Sequence, residues 1–198
     1  MSAPHHTPAG VPMFTELSGY EVELDRISTA FDGLVAGLVD EQTQWRPEAG
    51  RWSIGENIDH LTATGRLYLP AFDEAIEVAR SRSLYREGPF RYGVLERLFA
   101  WSIEPPVRFK LPSPRGMRPG ALRSAAIVKE EFFEMQEELR ARIRAANGLD
   151  LQVVKVRSPL ARRAVFSLGA AFRILVAHER RHLWQARDVR VSRGFPGA

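Results

Sequence analysis

Apolar side chains recur along this 198-residue chain at alternating intervals of three and four, the period of amphipathic helices. Leu17, Tyr20, Leu24, Ile27, Phe31, Leu34 and Leu38 make one continuous stripe, which predicts a helix beginning near Phe14. Asp40 to Trp52 breaks the period and carries Pro47 and Gly50, so a loop is expected there. Ser53-Ile54-Gly55-Glu56 has the form of a capping box, in which the Ser oxygen takes an early backbone N–H and Glu56 reaches back. The helix it opens continues its apolar face through Ile54, Ile58, Leu61, Tyr68, Leu69, Phe72 and Ile76. Pro70 lies within that run and predicts a kink, because it lacks an N–H and crowds the preceding turn.

Residues 83–120 show the least regular pattern, with a short helix expected over Val94–Trp101. Pro105, Pro106, Pro112, Pro114 and Pro119 then forbid a helix and predict a long loop. A third long helix is expected from about Leu122 to Ala146, with Val128, Phe132, Met135, Leu139 and Ile143 buried and Asn147-Gly148 as its stop. Residues 149–165 are mixed, with extended chain expected around Leu151–Val156. The last helix spans about Ser167 to Val191. Four long amphipathic helices predict an all-α four-helix bundle with an additional short helix and a proline-rich loop. Its domain occupies 14–192, between a lead-in at 1–13 expected to be disordered and a tail at 193–198.

Composition narrows the function. The length suits a single core, and no stretch approaches 18 uncharged apolar residues, so no membrane span is expected. The first residues lack a basic stretch followed by an apolar run, which leaves the cytoplasm as the expected compartment. There is no cysteine, so disulfides, zinc–thiolate sites and cysteine nucleophiles are excluded. The net charge is +4, but the charges are interspersed. The densest basic group, Arg108, Lys110, Arg115, Arg118 and Arg123, sits among prolines and reads as a solvated loop, so no nucleic-acid partner is expected.

Of the five histidines, His5 and His6 fall in the lead-in, and His60, His178 and His182 fall in predicted helices. His178 and His182 are one turn apart on one face, near enough to close on a single ion. They share that face with Leu168, Leu175 and Val189. His60 lies slightly off the apolar line of its own helix, where it would face a bundle cavity. Three imidazoles from two helices would leave coordination positions open, as catalytic sites do. Spacing alone leaves another reading open, that of core histidines with satisfied hydrogen bonds. A third comes from the string His178-Glu179-Arg180-Arg181-His182, which matches the H-E-x-x-H motif of zinc peptidases. Against it stand the adjacent arginines, the lack of a downstream histidine or glutamate ligand, and the lack of an edge strand for a peptide.

Two phrases resemble a known family. W-R-P-E-A-G-R-W-S-I-G-E-N-I-D-H-L at 45–61 and V-A-H-E-R-R-H-L-W-Q-A at 176–186 are similar to the DinB-like helical metalloproteins. In that family a W-S-x-x-E-x-x-x-H-L stretch opens the second helix with the first metal ligand, and H-x-x-x-H-x-x-Q in the last helix supplies two more. The resemblance therefore implies that His60, His178 and His182 are the ligands of a divalent ion, zinc or nickel. It also implies a four-helix bundle, commonly a homodimer, and a low-molecular-weight thiol as cosubstrate of a transferase or isomerase. A small-molecule hydrolase stays open, as does a non-catalytic bundle whose metal site is structural or vestigial.

Other residues are expected to stand around the triad. Glu56, one turn before His60, is a candidate general base whose competing role is the helix cap. Gln185, one turn after His182, is a candidate to orient that ligand. Glu179 is expected to face outward in a salt bridge, and Trp45, Trp52 and Trp184 are read as packing residues.

Overall fold

A computed structural model describes residues 12–106, 123–161 and 163–197. Of the expected lead-in at 1–13, residues 1–11, with His5 and His6, lie outside the described residues, as does the proline-rich stretch 107–122 with most of the basic group. Six helices and one small hairpin are described: α1 (Thr15–Val35), α2 (Asp40–Gln44), α3 (Ile54–Ser81), α4 (Val94–Ile103), α5 (Ala125–Ala145), β1 (Lys155–Arg157), β2 (Val165–Ser167) and α6 (Leu168–Arg190). Helices α1 and α3 each pack on both α5 and α6, so the four long helices form a square with α1 and α3 at opposite corners. No helix among the described residues is long and apolar enough to cross a membrane.

The stripes read from the sequence meet in this square. Leu17, Leu24, Ile27 and Phe31 of α1 are buried, as are Phe72 of α3, Phe132, Met135 and Leu139 of α5, and Phe172 of α6. Phe31 meets Phe132 edge-on at 5.0 Å, and Phe72 lies 4.6 Å from Phe172, so aromatic pairs join the helices across the core. The capping box at Ser53 is formed: Ser53 Oγ accepts from Glu56 N–H at 3.1 Å and Glu56 Oε2 accepts from Ser53 N–H at 2.8 Å. Pro70 lies inside α3 without ending it. It is on the exposed side, where water can satisfy the carbonyl that its missing N–H releases.

Three expectations need correction. Helix α1 stops at Val35 and the chain turns through Gly37, at φ +73°, so Leu38 lies beyond the helix although it still packs on the core. The expected loop at 40–52 begins with helix α2, in which Gln42 Oε1 accepts from Val39 N–H and Thr43 Oγ1 donates to Val39 O. Leu151–Val154 is a turn rather than extended chain, because Asp150 Oδ1 accepts from Gln152 and Val153 N–H and curls the backbone. The strand begins only at Lys155 and pairs antiparallel with β2.

A half-buried knot fixes the start of α6. Glu16 Oε1 accepts from Tyr20 at 2.8 Å and from Tyr92 at 2.6 Å, and both hydroxyls are pushed to high pKa by burial first and by that carboxylate second. Tyr92 reaches Glu16 across Gly169, where an added Cβ would stand 1.9 Å from the Tyr92 oxygen. Gly169→Ala is therefore expected to push Tyr92 off Glu16 and lower stability by ~1–3 kcal/mol despite alanine's better helix propensity. Thermal melts check it: an unchanged or higher Tm would show that the ring swings aside freely.

Candidate metal centre

Helices α3 and α6 run side by side, and their facing residues carry the three histidines. His60 is on α3, one turn after Glu56, and His178 and His182 are one turn apart on α6. One ligand nitrogen from each of the three lies within 4.8 Å of the others. The Nε2 atoms of His60 and His178 are 3.3 Å apart. That is the edge, ~3.3–3.4 Å, of a tetrahedron whose vertices stand 2.0–2.1 Å from its centre, the zinc–nitrogen distance. His60 and His182 are buried and His178 is half-buried.

The surroundings keep two of these rings in the form that binds metal. Burial, then His60, then Arg181 pull His178 down to about 3. Burial, then His178, His60 and Arg181 hold His182 well below its ordinary value. A neutral imidazole has a free lone pair, and an imidazolium has none.

Asn57 decides which nitrogen of His182 is available. Asn57 Nδ2 donates to Ser53 O at 2.8 Å, which turns Asn57 Oδ1 toward His182 Nδ1, 2.8 Å away. Since Oδ1 can only accept, Nδ1 carries the proton and Nε2 is left with the lone pair. Asn57 was not singled out from the sequence. The available signal was its place one turn after the cap residue and one turn before His60, on the side of α3 that faces α6.

Glu56 is buried and both its oxygens are engaged. Oε2 takes the Ser53 N–H and also Arg46 Nε at 2.7 Å, and Oε1 takes Arg46 Nη2. These bonds tie the 45–52 segment to the first turn of α3. Trp52, at the end of that segment, rests on the cluster, 4.8 Å from the His60 ring and stacked 5.6 Å from that of His182. Trp45 packs on Phe195, edge-on at 5.5 Å, and Trp184 is exposed. Gln185 is half-buried, one turn beyond His182, whose Nδ1 bond goes to Asn57.

Glu179 corrects the sequence reading. It is 1% exposed, and its Oε2 accepts from Gln136 Nε2 of α5 at 2.9 Å. The residue after His178 points a quarter-turn away, toward α5 instead of solvent, so its carboxylate stands outside the histidine cluster. The outward salt bridge belongs to Arg180, which holds Glu104 and Glu23. Burial pushes the Glu179 carboxyl up to about 7, against the lowering by Gln136 and Arg180.

Residues 23–186 match the DinB superfamily. No curated protein and no solved structure matches the chain.

Proposed function

The chain belongs to the DinB superfamily, and from that premise we propose that it is a metal-dependent enzyme holding one divalent ion, zinc or nickel, through His60, His178 and His182. The observation that carries the reading is the convergence of three imidazoles from α3 and α6 in a region that keeps two of them neutral. Cores do not ordinarily gather three imidazoles without an ion, because each ring buries two polar nitrogens that need partners. The Nδ1 atom of His178 is buried without a hydrogen-bond partner.

Bound there by neutral ligands, a divalent ion keeps its full charge and supplies Lewis acidity toward a carbonyl, a water or a thiolate. The chain's own residues prepare the site. Asn57 fixes the His182 tautomer, and the Arg46–Glu56 pair holds the segment that carries Trp52 over two of the rings. The indole limits water on that side and offers a flat wall to a substrate. With no cysteine in the chain, a sulfur nucleophile would arrive as a low-molecular-weight thiol cosubstrate; a thiol-dependent transferase and a small-molecule hydrolase are the two reaction classes, and dependence on added thiol separates them.

Elemental analysis of tag-free protein, followed by turnover of electrophilic small molecules with and without added thiols, tests this reading. The expected result is about one ion per chain and turnover that chelation abolishes and zinc or nickel restores. Protein that takes up no metal overturns the reading. Metal whose removal lowers Tm while no substrate turns over reduces it to a structural clasp.

A further inference from the structure

The two histidines of α6 differ in what their Nδ1 atoms meet. His182 Nδ1 has Asn57 Oδ1 at 2.8 Å, whereas His178 Nδ1 is buried and has no hydrogen-bond partner among the described residues. Thr64 Oγ1 of α3 is in the same condition, on a residue that is 1% exposed. A threonine inside a helix commonly returns its hydroxyl to the carbonyl four residues back. Thr62 does so to Ile58 O at 3.2 Å, and Thr43 to Val39 O at 3.1 Å. Thr64 makes no such bond to His60 O. A buried hydroxyl and a buried ring nitrogen on facing helices therefore both lack what the other could supply.

Helix register brings the two atoms to one level. Helices α3 and α6 are antiparallel, since Asn57 meets His182 and His60 meets His178. In such a pair, one turn forward on α3 and one turn back on α6 preserves the facing relation. That step carries His60–His182, whose rings are 4.6 Å apart, onto Thr64–His178. Both side chains lean toward the start of their own helix, which in an antiparallel pair turns them toward each other. The same step carries Asn57–His182 onto Leu61–His178, so His178 has a leucine where His182 has its amide. Thr64 is the polar side chain left to serve it. A threonine is smaller than a histidine by roughly the volume of one water, 30 Å³. We propose that Thr64 positions His178 through one buried water, which accepts from His178 Nδ1–H and donates to Thr64 Oγ1. The proton is thereby kept on Nδ1 and the Nε2 lone pair is left for the ion, as Asn57 arranges for His182. This inference rests on the metal reading above for its purpose, while its geometry involves α3 and α6 alone.

Two variants separate the hydroxyl from the packing: Thr64→Val keeps the shape without the hydroxyl, and Thr64→Ser keeps the hydroxyl. Zinc affinity by chelator competition is read beside long-range proton–nitrogen spectra of the imidazoles, with and without zinc. In the wild type, the His178 Nδ1 proton is expected to be visible and to exchange magnetisation with water. Thr64→Val should lose that signal and about tenfold in zinc affinity, with the His60 and His182 signals in place. Thr64→Ser should restore both. An unchanged His178 signal and affinity in Thr64→Val overturns the proposal. So does a change that Thr64→Ser fails to restore, or one that reaches all three rings alike, since either marks a packing defect. A His178 Nδ1 proton in the wild type with no transfer from water overturns the bridge. The zinc-free spectra keep this result apart from the metal reading. If no zinc is taken up, the metal reading falls, and a His178 tautomer that still follows the hydroxyl at position 64 upholds the contact.

Discussion

His182→Ala is expected to empty the metal centre. Bound metal should fall from about one ion per chain to a residue below roughly a tenth after dialysis, with affinity weaker by at least on the order of a thousandfold. The reason is the ligand count: with one imidazole gone, His60 and His178 hold the ion from two sides only, and the desolvation of the ion is no longer offset. Asn57→Leu provides the graded comparison. It leaves three imidazoles but removes the acceptor that fixes the His182 tautomer, so about 10–100-fold of affinity should be lost while the stoichiometry at saturating metal stays near one. His182→Gln, which keeps most of the side-chain volume, guards against a folding defect. Competition with a chromogenic chelator gives all the affinities. Full metal content in both His182 variants would move the site elsewhere. Equal losses in His182→Ala and Asn57→Leu would mean that the pocket collapses as a whole.

The difference between those two residues explains how far the site could be read from sequence. His60, His178 and His182 carry a spacing and a chemistry that the one-dimensional pattern displays. Asn57 acts through a bond to a helix 125 residues away, and an asparagine facing a helix neighbour looks like any other buried amide. The capping box was legible for the opposite reason, because both of its bonds run between Ser53 and Glu56. The bundle's long helices were likewise fixed by apolar stripes whose period no other structure accommodates. Short-range polar chemistry explains the misses. Helix α2 is wound by Gln42 and Thr43 onto Val39, and the turn at 150–154 is closed by Asp150, neither of which leaves a hydrophobic signature. Glu179 misled because a charge beside two arginines reads as surface. On α6, however, positions 178 and 182 face α3, and that rotation forces 179 toward α5 and Gln136.

That buried carboxyl carries the second large expectation, which concerns stability against pH in metal-free protein. Glu179 sits at about 7 in the fold against 4.5 in the unfolded chain. Below pH 4.5 it is protonated in both states and contributes no difference. Between 4.5 and 7 the unfolded chain releases this proton while the native state keeps it, so stability falls as pH rises, by up to ~1.4 kcal/mol per unit. Above about 7 the loss is complete, at roughly 3 kcal/mol. Glu179→Gln has no proton to release, and its amide nitrogen takes the place of Glu179 Oε1, an acceptor buried without a partner. The variant should therefore match the wild type near pH 4 and exceed it by roughly 2–3 kcal/mol at pH 8. His178 works in the opposite sense, since its lowered value removes stability as pH falls below 6.5, but it is common to both proteins and cancels in their difference. Urea unfolding of both proteins in chelator at pH 4, 6 and 8 measures that difference directly. If it does not grow with pH, Glu179 is ionised in the fold, and the charge must be matched by a cation from α6 itself, with Arg180 the nearest in sequence.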